Sequence, residues 1–172
     1  MDVGLTEERP AGRDLSFDAW VDARVPALLR FAYLVTGSQH AAEDAVQTAL
    51  TRACEKWSRV RRTTDPDAYV RRMVVNEHVS GWRRSGRREV AVAEVRDATV
   101  EPMAAIDESD AVWRVCSTLP RQQRAAVVLR FYEDLEYAEI AALLECSETT
   151  VRSHVHRALN ALRAALTTQE DR

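Results

Sequence analysis

The residues best suited to bind a charged partner lie in two adjoining helical segments of the second half of the chain. A helix with an apolar period that includes Ile140 and Leu144 runs into a short turn, residues 145–147, and a second helix follows. At about 100° per residue, one face of the second helix carries guanidinium, hydroxyl, imidazole and amide groups, from Arg152, Ser153, His156, Arg157 and Asn160. These groups reach phosphates and base edges in a major groove, so the helix-turn-helix pattern predicts binding to double-stranded DNA.

The opposite face of that second helix is apolar. Its members suit burial against the preceding helix; they are Val151, Val155, Ala158, Leu159 and Leu162. The alternative to DNA binding is an ordinary helical hairpin with a solvated polar face. The motif favours DNA binding, and a basic segment elsewhere in the chain would favour it further.

Charge is sorted along the chain. The 172 residues carry a net charge of −3, which by itself does not favour DNA. Residues 58–90, however, hold nine arginines and four acidic residues, a net charge of +5. Residues 91–113 hold one arginine and six acidic residues, a net charge of −5. A local basic segment of this kind binds phosphates, with an affinity that falls as the salt concentration rises.

Several absent features exclude other classes of protein. No run of about 18 apolar residues is present, so no membrane insertion is expected, and the polar N-terminus is not a secretory signal. The three cysteines are far apart, which favours a reduced, cytoplasmic setting, and Cys54 is expected in the core. His154 and His156 point in different directions on a helix, so no zinc site is expected there. No other cofactor is expected. Without a glycine-rich phosphate loop, GxSxG or HExxH, neither an enzyme activity nor a catalytic residue is predicted.

Helical periods divide the chain into two predicted all-α domains. Residues 1–15 are expected to form a disordered tail, 16–88 a first domain, 89–106 a flexible linker and 107–168 a second domain.

Local signals mark the predicted helix ends. Gly37 is placed as a C-terminal cap and Ser38 as the N-cap of the next helix. Asp65 resembles an N-cap with Pro66 at the first helical position. Pro26 is expected to break or kink the first helix.

Three stretches of the chain together resemble an extracytoplasmic-function sigma factor of the sigma-70 family, a dissociable promoter-recognition subunit of bacterial RNA polymerase. They are AAEDAVQTAL (41–50), DAYVRRMVVNEHVSGWRR (67–84) and LPRQQRAAVVLRFYEDLEYAEIAALLECSETTVRSHVHRAL (119–159), similar to family regions 2.2, 2.3–2.4 and 4. The third is the most specific, and the actinobacterial, sigma-E-like branch is the nearest in character.

The resemblance implies a protein that binds core RNA polymerase and directs promoter-specific transcription initiation. The first domain would dock on the clamp of the largest subunit and hold the melted strand of the −10 element. The second would rest on the flap of the second-largest subunit and read the double-stranded −35 element. Because such factors are often sequestered, an anti-sigma factor is a further implied partner.

The resemblance also assigns roles to individual residues. Contact with polymerase falls on Asp44, Ala45, Val46 and Gln47. Contact with the −10 element falls on Arg71, Arg72, Asn76, Arg83 and Arg84, with the loop at 59–64 receiving a flipped-out base. Contact with the −35 element falls on Arg152, Ser153, His156 and Arg157.

Aromatic side chains interleave with the arginines of the basic segment. Trp57, Tyr69 and Trp82 are of the type that stacks on unpaired bases, and core packing is the alternative for the last two.

The chain departs from the family pattern at several positions. Glycine is common in the family where Glu145 and Thr149 stand, and arginine where His154 stands. The turn at Glu145 therefore either takes another shape or is strained by roughly 1 kcal/mol. Gly81 costs about 1 kcal/mol of helix propensity, so the predicted helix 66–84 is expected to fray there.

A helix-turn-helix regulator that acts without replacing the sigma subunit is the alternative function. A response regulator of that kind would need a receiver domain of alternating strands and helices, whereas residues 16–88 have helical periods throughout.

Overall fold

The computed structural model describes residues 16–86 and 116–170, and this part of the chain is helical without a strand. Its helices are α1 (Phe17–Thr36), α2 (Gln39–Glu55), α3 (Trp57–Val60), α4 (Pro66–Gly86), α5 (Arg121–Phe131), α6 (Tyr137–Leu144) and α7 (Glu148–Glu170). The predicted all-α fold is therefore confirmed. The predicted tail, 1–15, and linker, 89–106, lie outside the described residues.

The helix ends follow the local signals in the sequence. Gly37 takes the left-handed conformation, φ 69°, after α1, and its N–H donates to the Tyr33 carbonyl. The Ser38 side chain accepts a hydrogen bond from the Ala41 N–H at the start of α2. The Asp65 carboxylate accepts from the Ala68 N–H over 2.9 Å, so Asp65 caps α4 as predicted.

The break allowed at Pro26 and the fraying expected at Gly81 do not occur. Helix α1 continues through Pro26, because proline frees only one main-chain carbonyl, that of Asp22, and both residues are exposed to water. Helix α4 continues past Gly81 to Gly86, because flanking Val79 is buried and Trp82 is half-buried in the core.

The core of the first domain is formed by α1, α2 and α4. Phe31, Tyr33, Val70 and Val74 are buried in it, as is the alanine-rich side of α2. Cys54 was expected in this core and is instead exposed, because it lies one residue, or about 100° of helix, beyond the buried Ala53.

In the second domain, α5 packs across the helix-turn-helix formed by α6 and α7. Apolar side chains of all three helices are buried in it, among them Leu129, Ile140, Val151, Val155 and Ala158. The predicted apolar face of α7 is the one that is buried.

The two domains share one continuous hydrophobic core. Helix α5 packs on α1, and α6 packs on α4. At the centre of this contact, the buried Arg124 guanidinium donates hydrogen bonds to the carbonyl oxygens of Thr36, over 2.6 Å, and Val35, over 3.4 Å. The structure thus adds a direct domain contact to the two tethered domains that the sequence predicts.

Candidate nucleic-acid and polymerase interface

The exposed face of α7 carries the residues predicted to read DNA. The Ser147 hydroxyl accepts a hydrogen bond from the Thr150 N–H over 3.1 Å and so caps the helix. Arg152, His156 and Arg157 are exposed, while Ser153 is half-buried. The face therefore presents two guanidinium groups and an imidazole to solvent, as major-groove contact requires.

Two of these side chains have partners within the second domain. The Arg152 guanidinium carbon lies 4.5 Å from the centre of the Tyr137 ring, and its Nη2 lies 3.7 Å from a Glu148 carboxylate oxygen. The His156 Nε2 lies 3.0 Å from the Asn160 side-chain nitrogen. Glu148, which stands at the start of α7, thus faces Arg152.

The turn before α7 could either take another shape or force Glu145 into a strained left-handed conformation, and the structure shows the strained conformation. Glu145 is left-handed, φ 52° and ψ 48°, and its N–H donates to the Ala141 carbonyl to close α6. Its carboxylate is ion-paired with Arg83 of the first domain. A conformation that glycine adopts freely is therefore taken here by a glutamate with a partner in the other domain.

His154 does not share the surface of the four predicted −35 residues. It is half-buried and lines a cavity of about 290 Å³ between the domains, together with Trp82, Leu144 and Cys146. Burial, and then the nearby Arg157, lower the pKa of His154 below its usual value. Burial raises the pKa of the Cys146 thiol. His154 thus contributes an imidazole with a lowered pKa to the domain contact.

Three of the five residues predicted to bind the −10 element are engaged by carboxylates of the second domain. Arg71 Nε lies 2.5 Å from Glu133, and Arg72 Nη2 lies 3.0 Å from Glu139. Arg83 forms the pair with Glu145. The structure brings Arg71, Arg72 and Arg83 to one surface, but that surface faces the second domain.

The other two predicted −10 residues, Asn76 and Arg84, are exposed on α4. The predicted base-receiving loop at 59–64 begins inside α3, which ends at Val60, and only residues 61–64 form the turn after it. Arg59 in α3 and Arg62 in the turn are exposed. These basic and amide side chains are accessible in the arrangement that the structure shows.

The aromatic residues of the basic segment are held by the protein itself. The ring of Trp57 lies 5.4 Å from that of Phe17 and 5.2 Å from that of Trp20. Trp82 Nε1 donates to His78 Nε2 over 2.9 Å, and its ring lies 5.7 Å from the Arg121 guanidinium. Tyr69 is half-buried against the core. Tyr69 and Trp82 therefore pack against the core, which was the alternative to base stacking for both residues.

His78 lies between the aromatic and cationic groups of the domain contact. Burial, followed by the positive charges of Arg124 and Arg121, lowers its pKa to about 3. The hydrogen bond from Trp82 uses the lone pair of Nε2, which only the unprotonated nitrogen offers. Geometry and charge therefore both favour a neutral His78.

The predicted polymerase-contacting residues divide between surface and core. Asp44 and Gln47 are exposed on α2, whereas Ala45 and Val46 are 5% and 3% exposed. Asp44 also borders a groove of about 370 Å³, with Thr48, Arg84 and Arg121 among its other lining residues. Asp44 and Gln47 can contact a partner directly, and the two buried residues hold the helix in place.

Two further findings concern the described ranges, 16–86 and 116–170. No helix there is both long and apolar enough to span a bilayer. No group of three or more histidine, cysteine, aspartate or glutamate side chains is placed there to hold a metal ion.

Sequence comparison identifies relatives across most of the chain. Residues 14–88 match the family described as Sigma-70 region 2, and residues 109–162 match Sigma-70, region 4. The RNA polymerase sigma-E factor of Streptomyces avermitilis is 34% identical over 160 residues, covering 92% of this chain and 89% of that protein. The ECF RNA polymerase sigma factor SigM of Mycobacterium tuberculosis is 29% identical over 157 residues, covering 91% of this chain and 80% of that protein.

A solved structure is similar in both sequence and fold. It is the sigma factor RpoE of Bartonella quintana, crystallised in complex with the anti-sigma factor NepR. The TM-score is 0.61 at 26% identity, with 88% of this chain and 96% of that chain covered.

Proposed function

We propose that this chain, which belongs to the sigma-70 family as an RNA polymerase sigma factor of the extracytoplasmic-function type, selects promoters with two DNA-contacting domains. We assign residues 16–88 to the first domain, 89–106 to the linker and 107–168 to the second domain. The observation that carries the proposal is the exposed, arginine-bearing face of α7 in a complete helix-turn-helix. The protein is a transcription initiation factor, and we assign it no catalytic residue because polymerase supplies the chemistry.

The −35 element is assigned to the exposed face of α7. We assign to Arg152 and Arg157 paired hydrogen bonds with guanine, and to Ser153 and His156 further contacts beside them. Replacing either arginine by alanine is expected to weaken binding of the holoenzyme to its promoter by about 1–3 kcal/mol.

Arg163→Ala is the matched control for these variants, because Arg163 is exposed on the same helix beyond the four assigned residues. Promoter affinity that is unchanged in both Arg152→Ala and Arg157→Ala would move the −35 contact to another surface.

The −10 element is assigned to Arg71, Arg72, Asn76, Arg83 and Arg84 of α4. Because carboxylates of the second domain engage three of these arginines, binding of the melted strand requires that the second domain move away. Asn76→Ala and Arg84→Ala test the assignment without disturbing that contact, since both side chains are exposed.

Promoter opening, followed by permanganate reactivity of unpaired thymines, is the measurement for the −10 variants. We expect reduced reactivity for Asn76→Ala and Arg84→Ala, and wild-type reactivity for Arg30→Ala on α1. Full opening by both α4 variants would contradict the assignment.

Contact with the polymerase clamp is assigned to α2, and contact with the flap to the second domain. Asp44 and Gln47 would touch the clamp, and Ala45 and Val46 would support them from the core. The double variant Asp44→Ala, Gln47→Ala should compete poorly with the wild-type chain for core polymerase. Glu43→Ala, an exposed neighbour on the same helix, is the control.

An anti-sigma factor is proposed as a further partner. It is supported by the similar Bartonella quintana protein, whose complex is with the anti-sigma factor NepR. A cytoplasmic location is proposed because core polymerase, the assigned partner, acts on DNA there. Co-purification tests the assignment of core polymerase as the partner: the tagged chain should recover core polymerase subunits.

A further inference from the structure

Tyr137 occupies an unusual position between two cationic side chains. It is the first residue of α6 and is half-buried. The guanidinium carbon of Arg152 lies 4.5 Å from the centre of its ring, and that of Arg130 lies 5.3 Å away. Both distances are within the range of cation–π attraction, so one aromatic ring connects α5 with α7.

Arg130 anchors this arrangement from the α5 side. Its Nη1 donates to the Leu135 carbonyl over 3.0 Å and lies 3.7 Å from Asp134 and 3.8 Å from Glu136. The side chain is 26% exposed, so it is held by the turn that leads into α6. The ring of Tyr137 therefore rests against a fixed group.

Arg152 has few other restraints. Its side chain is 61% exposed, and its one ion-pair partner among the described residues, Glu148, is itself 52% exposed and 3.7 Å away. Exposed pairs of this kind hold a side chain weakly. An arginine must lose rotamer freedom when it binds a base edge, and a protein that restricts the side chain beforehand reduces that loss.

We propose that Tyr137 is a positioning residue for promoter recognition, which holds the Arg152 guanidinium in place for a base edge of the −35 element. The inference rests on the proposed role of Arg152. Tyr137 itself touches no DNA in this scheme, and its effect on binding passes through Arg152.

A double-mutant cycle in the holoenzyme tests the proposal. The full chain is combined with Streptomyces core polymerase, and the probe is a promoter fragment recovered by run-off transcription with the wild-type holoenzyme. Tyr137→Leu should weaken binding about two- to fivefold, the range expected from an exposed cation–π contact. Tyr137→Phe keeps the ring and should bind like the wild type. In the Arg152→Ala background, Tyr137→Leu should have no further effect.

The outcomes separate this proposal from the assignment beneath it. If Arg152→Ala leaves promoter binding unchanged, the −35 role of Arg152 fails. If Arg152→Ala weakens binding and Tyr137→Leu weakens it further by the same factor in both backgrounds, Tyr137 acts independently and the positioning role is overturned. A general loss of stability caused by Tyr137→Leu would also weaken promoter binding equally in both backgrounds. Thermal unfolding of the wild type, the two single variants and the double variant detects such a loss.

Discussion

The Arg124 guanidinium of the second domain donates a 2.6 Å hydrogen bond to the carbonyl oxygen of Thr36, the last residue of α1 in the first domain. The last carbonyls of a helix lack partners within the helix and carry partial negative charge, so a cation is favoured there. Arg124 is 5% exposed and also reaches the carbonyls of Val35, Ser117 and Leu119. One side chain thus caps a helix of the other domain.

Replacing Arg124 by methionine is expected to lower the free energy of unfolding by about 1–3 kcal/mol. The change keeps much of the apolar volume but leaves buried carbonyls without donors. Denaturant unfolding measures the loss, and Gln122→Ala, at an exposed position of the same helix, is the control. Wild-type stability of Arg124→Met would show that the capping hydrogen bonds contribute nothing net.

Alanine at Gly37 and alanine at Gly81 should have opposite effects on stability. At Gly37, φ is 69° and an added Cβ would overlap the Arg124 guanidinium, so Gly37→Ala should destabilise the chain by at least about 1 kcal/mol. At Gly81, a Cβ meets no atom within 4 Å, and alanine improves helix propensity by up to about 1 kcal/mol. The midpoints of thermal unfolding should move in opposite directions, and a shared direction would contradict this view of Gly37.

The ion pairs between the domains should differ in strength according to their burial. Glu133 is 6% and its partner Arg71 25% exposed, whereas Glu139 and Arg72 are 45% and 49% exposed. Glu133→Gln should therefore cost about 1–3 kcal/mol, because it leaves a half-buried guanidinium unpaired. Glu139→Gln should cost less than about 1 kcal/mol. Unfolding by urea at two salt concentrations compares the two variants, and equal costs would show that burial does not strengthen the Arg71–Glu133 pair.

Acidification should destabilise the folded chain in a pH range where carboxylates stay ionised. Burial and nearby arginines lower the pKa of His78 to about 3 in the folded state, whereas the unfolded value is about 6.5. The unfolded chain therefore binds more protons as the pH falls below 6.5, and stability falls with it, by up to about 1.4 kcal/mol per unit for this residue. His154, whose pKa is also lowered by burial, adds an effect of the same sign.

The control for this pH dependence is His78→Gln, measured between pH 7 and pH 5 by denaturant unfolding. Its stability should change less with pH than that of the wild type. An identical slope for the two chains would exclude His78 as a source of the effect.

The features that the sequence predicts well are local ones. The Ser38 and Asp65 caps, and the two faces of α7, depend on residues within one or two helical turns of each other. Periodicity and capping chemistry are therefore sufficient to place them. Pro26 and Gly81 show the limit of this approach, because packing and solvent around a helix override the preference of a single residue.

The domain contact could not be predicted in the same way. Arg124 and Thr36 are 88 positions apart, and Arg72 and Glu139 are 67 positions apart. No spacing rule relates residues so distant. The acidic residues at 133, 139 and 145 are six positions apart, which at about 100° per residue is not the spacing of one helix face, so it does not mark them as partners of α4. Glu145 shows a related limit, since the sequence indicates an unusual turn there but not the arginine that faces it.

Reconstituted transcription is the most direct measurement of the central claim, that the two domains together select promoters for RNA polymerase. Core polymerase is incubated with restriction fragments of genomic DNA, with the full chain, with the Arg152→Ala, Arg157→Ala double variant, or without either. We expect discrete run-off products that require the wild-type chain and are lost or greatly reduced with the double variant. Products that are the same with and without the chain, or that the double variant supports fully, would contradict it.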